Sequence, residues 1–350
     1  MNSPVNPAGG PNPPSARGRS GVRCRVPGCE ASVGECGAGA SATLSPLVVI
    51  AGPTASGKSS LALALAARFN GEIISCDSVA VYREFEIGTA KPSREERARV
   101  PHHLIDVVAP DDFFTAGAYA RLAREAARQI TARGHLPIVC GGTGLYLRAM
   151  LDGLFAGPER DEQLRQRLRC RKSPDSLWRL LRRLDPAAAS RIHPNDEPKL
   201  IRAIEVCAAS ARPMSELLRS GRDALQGYRV LRIGLAPERG AHYDRINRRC
   251  ARMFEQGLVE ETCALLERYG PAVFAMRSLG YRQAASHLRG ESSLAEAIAA
   301  AQQGHRNYAK RQLTWFRRDA EMHWIAEFAP AALTQSQAMV RDFLLLPESD

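Results

Sequence analysis

Lysine is nearly absent from this 350-residue chain. Of its 48 cationic side chains only five are lysines (Lys58, Lys91, Lys172, Lys199 and Lys310), and the rest are arginine. Such a bias is compositional, so a position that stays lysine, a compact ammonium rather than a planar fork, draws attention. Long apolar runs are missing as well. Nothing approaches the roughly 18 residues of a membrane-spanning helix, so none is expected. The nine cysteines include no CxxC pair and are odd in number, which argues against a disulfide framework and for reduced thiols in the cytoplasm. Cys24, Cys29 and Cys36 lack a nearby fourth ligand, so no zinc site is read there. No internal repeat is visible. What is abundant is positive charge: the formal net charge is +11 and the isoelectric point about 9.5, a balance that points to a polyanionic partner.

Residues 1–45 are rich in Pro, Gly, Ser and Ala. Such a segment buries too little apolar surface to offset its ordering entropy and is expected to be a disordered extension. It has no apolar core of a secretory signal. The texture then changes. "LVVIA" (47–51), "EIISC" (72–76) and "LPIVC" (136–140) read as buried strands, with helices at "SSLALALAARF" (59–69) and "GAYARLAREAARQITARG" (117–134). The second helix carries Ala118, Leu122, Ala126 and Ile130 on one stripe. Alternating strands and helices predict an α/β fold, a parallel sheet flanked by helices. From about 157 to 224 the pattern is wholly helical, an inserted all-helical domain. "YRVLRIGLAP" (228–237) returns to the sheet, so the core comprises 46–156 and 225–328, and 329–350 is a tail.

"GPTASGKS" (52–59) satisfies G-x-x-x-x-G-K-[ST] between a strand and a helix. Gly52 and Gly57 permit the turn, so the loop Pro53-Thr54-Ala55-Ser56 and the helix N-terminus aim successive backbone N–H groups, Pro53 itself having none, at an anion. Lys58 adds charge, and the Ser59 hydroxyl is the candidate Mg²⁺ ligand. A nucleotide-hydrolysing enzyme also needs an acid at a strand end to hold the metal shell, but "LPIVC" runs into "GGTGLY". The nearest such acid is Asp77, after the neighbouring strand, where it serves a substrate rather than a nucleotide. Alone, Asp77 also reads as a helix cap before "SVAVYR".

The ordered set "GPTASGKSSLA", "IISCDSVAVYREFEIGTAKPSREE", "VPHHLIDV", "PIVCGGTGLYLRAMLDGL", "RIHPNDEPKLIRAIEV", "RSLGYRQ" and "KRQLTWFRRD" resembles the tRNA dimethylallyltransferases (tRNA isopentenyltransferases) over about four-fifths of the chain. The resemblance implies a P-loop NTPase-like sheet whose loop holds the diphosphate of dimethylallyl diphosphate. It implies prenylation of the adenine 3′ of the anticodon in tRNAs reading U-initial codons, by a monomer with Mg²⁺ as cofactor.

By the same resemblance Asp77 is the proton acceptor, with Lys58 and Thr143 catalytic. Contacts to tRNA are implied at Asp77, Ser78, Val79, Ala80 and Thr143, and at Arg165. They are also implied at Pro198, Lys199, Leu200, Ile201 and Arg202, and at Arg277, Ser278, Leu279, Gly280, Tyr281 and Arg282. The last group is Lys310, Arg311, Gln312, Leu313, Thr314, Trp315, Phe316 and Arg317. Many relatives carry Gln where this chain has Ala80. Arg245 is a candidate for the outer diphosphate oxygens. The residues themselves offer cations for phosphates and flat rings for unstacked bases in "HRNYAKRQLTWFRR", although Trp315 and Phe316 read equally well as core. Two rivals remain from composition and loop alone: a P-loop kinase of a nucleoside or small metabolite, and a tRNA-binding protein without catalysis.

Overall fold

The computed structural model describes residues 44–171, 173–219 and 221–345. The extension expected over 1–45 lies outside them except for its last two residues, as do Cys24, Cys29 and Cys36. Ser45 already opens the first strand, β1 (Ser45–Ala51). The others are β2 (Gly71–Cys76), β3 (His102–His103), β4 (Leu136–Gly141), β5 (Tyr228–Leu235) and β6 (Met322–Ile325). They form one sheet in the order β3-β2-β4-β1-β5-β6, and every pairing is parallel. A central parallel strand is covered on both faces, which is why Leu47 to Ala51 is a continuous apolar run and wholly buried. The short edge strands β3 and β6 carry too few residues to show a periodicity.

The early helices are α1 (Lys58–Arg68), α2 (Arg94–Arg99), α3 (Ala116–Ala132) and α4 (Gly144–Leu151). Five helices, α5 (Glu162–Arg171), α6 (Pro174–Leu184), α7 (Pro186–Ala189), α8 (Glu197–Ser210) and α9 (Met214–Arg219), fill the segment read as an insertion. Several of them pack around a small apolar cluster of Leu177, Leu181, Leu200 and Ile204. After β5 come α10 (Arg239–Glu255), α11 (Leu258–Tyr269), a 3-10 turn (Phe274–Arg277), α12 (Tyr281–Leu288) and α13 (Leu294–Phe316). Ser293 and Glu296 close a reciprocal cap at the start of α13. Among the described residues, no helix is long and apolar enough to cross a membrane.

Three expectations are corrected. The buried face of α3 keeps Ala126 and Ile130 of the expected stripe but adds Tyr119, Ala120, Ala123 and Ala127, while Ala118 and Leu122 are half-buried at its edge. "SVAVYR" forms turns rather than a helix. Residues 329–345 are not a plain tail but a helix, α14 (Ala329–Leu345). Its Ala332 and Val340 enter the cluster of Leu61, Ala62 and Leu65 from α1. Its first residue also braces the loop after β1. Gly57 has φ +94°, and a β-carbon there would stand 2.8 Å from the Ala329 Cβ. Only glycine meets both demands.

The strand order reverses around β1, and the carboxyl ends of β1, β2 and β4 release the phosphate loop, Asp77 and Gly142-Thr143 side by side. That crevice is where an open α/β sheet binds its ligands.

Candidate functional site

The loop is held from above by two helices. Thr54 is fixed at all three of its polar groups. Its N–H donates to Gln312 Oε1 at 2.8 Å, and its carbonyl accepts from His242 Nε2 at 2.8 Å. Its hydroxyl accepts from Arg249 Nη1 at 3.1 Å. Lys58 Nζ donates to the Pro53 carbonyl at 3.1 Å, folding back over its own loop. Burial pulls the Lys58 ammonium below its ordinary value, and Asp77 and Arg249 act on it in opposite senses. Burial likewise lowers Arg249, with Cys250 and Asp77 opposing. Two partly desolvated cations thus share one nearby carboxylate, so a bound polyanion would complete their charge. Ser56 is buried, and its hydroxyl has no hydrogen-bond partner in the loop.

On the outer side the loop opens into a cavity of about 1070 Å³ lined by Lys58, Ser59, Arg245, Arg248, Arg249 and Arg252 among others. These arginines fall at i, i+3, i+4 and i+7 along α10, one face of a helix. Arg245 reaches it with its guanidinium 4.5 Å over the Phe328 ring. The sequence reading found Arg245 and missed Arg248, Arg249 and Arg252. The helical spacing in "RINRRCAR" was the available signal.

Asp77 borders two cavities, a narrow one shared with Lys58, Ser59 and Cys140 and a second of about 320 Å³. Its Oδ1 accepts from the Val79 and Ala80 amides at 2.8 and 3.2 Å, an Asx turn. Its Oδ2 makes no hydrogen bond with any described residue and is available to a substrate. Thr143 Oγ1 accepts from the Ser78 amide at 3.1 Å, tying the β4 end to the Asp77 turn. Tyr308 stands beside both. Burial pushes its hydroxyl up to about 12, the Asp77 charge adds, and a hydrogen bond with Thr143 opposes.

The second cavity is lined by Ser78, Val79, Arg249, Arg277, Ser278, Leu279, Arg282, His305, Tyr308 and Arg311, with Asp77 its single acid. None of Arg277, Arg282 and Arg311 is ion-paired to a described residue. His305 is buried with Nε2 unpartnered. Burial pushes its imidazole down to about 4, with Arg249 and Arg282 adding, so it is neutral at physiological pH. His305, Tyr308 and Arg311 lie at successive intervals of three residues on one side of α13, a spacing that the sequence reading passed over.

Ala80 and Gln312 are buried and border the narrow cavity of Asp77, whereas other implied contacts do not face this crevice. Leu200, Ile201, Tyr281 and Phe316 are buried side chains that serve packing, and Gly280 is buried backbone. Tyr281 donates to Glu261 at 2.5 Å and accepts from the Gly88 amide. Leu313, Thr314 and Arg317 line a separate pocket with Lys310, and Trp315 lies on the surface beside Lys310 and Arg311. Pro198, Lys199 and Arg202 sit at the start of α8. Lys199 pairs with Asp196.

Arg165 is the clearest change of role. Its side chain is 12 % exposed and bonded to Glu205, which is 0 % exposed. Two hydrogen bonds of 2.8 Å join them, and Arg202 adds a third at 2.6 Å. Burial alone would raise the Glu205 carboxyl, but Arg165, Arg202 and the Asp161 amide hold it at about 2. Arg165→Ala therefore removes two charge-assisted bonds from a buried carboxylate. It should destabilise the fold by about 2–3 kcal/mol, read as a lower Tm. Recovery of part of that loss by Glu205→Gln in the same chain would confirm the cause, and an unchanged Tm would refute it.

Comparison with known proteins fits this arrangement. The family model for IPP transferase matches residues 80–319. The chain is 62% identical over 296 residues to a tRNA dimethylallyltransferase of Koribacter versatilis, covering 84% of this chain and 96% of that one. A relative of the same description from Solibacter usitatus is 54% identical, with 85% and 97% covered. Among solved structures, the full-length tRNA isopentenylpyrophosphate transferase of Bacillus halodurans superposes with TM-score 0.64 at 38% identity. That match covers 85% of this chain and 96% of that chain. A eukaryotic dimethylallyltransferase acting on tRNA superposes with TM-score 0.74 at 26% identity, with 86% and 79% covered. A phosphate loop without a metal-holding acid on β4, an acid after β2 instead, and relatives of this closeness lead to one conclusion: the chain belongs to the tRNA dimethylallyltransferase family.

Proposed function

We propose that this protein transfers a dimethylallyl group from dimethylallyl diphosphate to the N6 amine of an adenine in tRNA and releases diphosphate. The adenine is the one 3′ of the anticodon in tRNAs reading U-initial codons. The observation that carries the reading is Asp77, which borders both the narrow cavity shared with Lys58 and Ser59 and the arginine-rimmed cavity, with one carboxylate oxygen unused. A kinase would instead need an acid beyond β4, and Gly141 and Gly142 stand there.

The loop amides, Lys58, Arg249 and Arg245 hold the diphosphate and stabilise the charge it gains as the bond from C1 to oxygen breaks. The adenine leaves its stack to enter the second cavity. Its amine forms the new bond to C1, and the proton passes to Asp77 Oδ2. The Asx turn holds the carboxylate in place while Thr143 and Tyr308 border the amine. Ser59 offers a hydroxyl to the cavity below the loop, and among the described residues no cluster of three His, Cys, Asp or Glu could hold a metal. That sparse set of oxygen donors fits Mg²⁺, which takes most of its ligands from phosphate and water. When bound, the ion would neutralise leaving-group charge. The test is incubation of the protein with tRNA and labelled dimethylallyl diphosphate without ATP. Label should enter the RNA at one adenine, and dependence on ATP would restore the kinase reading.

A further inference from the structure

Phe113 and Phe274 are 51 % and 47 % exposed. With Trp315 they are the only Phe or Trp side chains so open among the described residues. Their rings approach to 6.1 Å with a 48° tilt. Phe274 lines the arginine-rimmed cavity that contains Asp77, and buried Tyr82 supports it from beneath at 6.5 Å. The Arg160 guanidinium covers one face of Phe113 at 3.9 Å, yet half of that ring remains open.

Two open rings at the rim of a substrate cavity cost solvation unless something apolar and flat covers them. The surroundings select the cover: Arg277, Arg282 and Arg311 stand unpaired along the same cavity, a setting for a polyanion rather than an apolar protein segment. A nucleobase on a phosphate backbone satisfies both demands. We propose that Phe274 and Phe113 form a stacking platform for an unpaired base next to the acceptor adenine in the RNA loop. The platform rests on the reading that RNA is the acceptor, and it adds a recognition element to that reading. When the adenine leaves the stack its neighbour loses a partner, and the Phe274 ring replaces it. Stacking on an aromatic side chain is worth about 1–3 kcal/mol per base and tolerates any base.

The test uses the full chain and an RNA stem-loop with 2-aminopurine on either side of the acceptor adenine. Phe274→Ala should weaken stem-loop binding about 5- to 100-fold, and it should relieve the 2-aminopurine quenching seen with the unaltered protein. The salt dependence of binding should keep its slope, because no phosphate contact is lost, whereas Arg311→Ala should reduce it. Phe274→Tyr should bind like the unaltered protein and Phe274→Leu should not, which separates stacking from simple burial. Donor affinity should stay the same. Phe113→Ala, at a half-exposed ring outside the cavity lining, gives the same reading should Phe274→Ala fail to fold. Binding within twofold for both alanine variants overturns the platform, as does Leu equalling Phe at 274. A change in oligomeric state with RNA affinity intact would show a self-association patch and overturns it as well. Failure of the unaltered protein to prenylate the stem-loop refutes the proposed function instead, so the two failures are distinguishable.

Discussion

Replacing Asp77 with asparagine should lower the rate of transfer about 10²- to 10⁴-fold, the usual contribution of a positioned general base. Affinity for RNA and donor should stay within a few-fold. The geometry makes this substitution clean. Oδ1 already accepts from the Val79 and Ala80 amides, and the amide oxygen of asparagine can do the same. Only Oδ2, the atom without a described partner, is exchanged for a group that cannot take a proton. Asp77→Ala would be a poorer probe, since it also removes the turn's acceptor at a cost of about 1 kcal/mol. Single-turnover kinetics at saturating donor and RNA measures the step directly. Near-normal turnover by Asp77→Asn would reduce the residue to a turn former, and Tyr308 and Thr143 would be the remaining groups beside the amine.

Lys58→Ala separates binding from proton transfer. In the proposed reaction the ammonium meets the diphosphate before the transition state and again as it leaves, so donor affinity and rate should fall together. A loss confined to one of them would place Lys58 outside the diphosphate contacts.

Much of the core was legible because its signals are local. The phosphate loop is contiguous, β1, β2 and β4 are apolar runs, and Asp77 follows a strand end within the same stretch. What escaped was what depends on distant chain segments. Arg249 sits 195 residues from Thr54, and nothing near it in sequence marks it as a loop ligand. Arg165 and Lys199 carry the same charge in the same insertion, yet Arg165 covers a buried Glu205 while Lys199 faces water. Charge type cannot tell a structural arginine from an RNA-facing one; only the partner can. α14 was overlooked because its apolar residues become meaningful only against α1, and Phe113 and Phe274 because they meet only across 161 residues.

Gln312 shows how such a long-range link controls chemistry. Its side chain is buried, its Oε1 accepts from the Thr54 amide, and its Nε2 donates to the Gly142 carbonyl, both at 2.8 Å. The two backbone partners fix which end of the amide is oxygen. Gly142 is glycine for this contact, since a β-carbon there would lie 2.2 Å from Nε2. One side chain thus spans the phosphate loop and the turn carrying Thr143, and in the proposed reaction that spacing would set the distance between C1 of the donor and the amine. The Thr54 N–H is committed to Gln312 and the Ser56 N–H to the Pro53 carbonyl, so the other loop amides are the ones the proposed diphosphate would use. Gln312→Met keeps the volume and loses both bonds, so donor affinity should change less than threefold. The single-turnover rate should fall about 10²-fold, the scale expected when reacting groups are misplaced by about 1 Å. Gln312→Glu adds a signature that a packing role would not give. Ionised, it accepts from Thr54 but opposes the Gly142 carbonyl; protonated, it donates to that carbonyl as the amide did. Its rate relative to the unaltered protein should therefore rise as pH falls. A folded Gln312→Met enzyme within threefold of the normal rate would show that the two loops keep their spacing without this bridge.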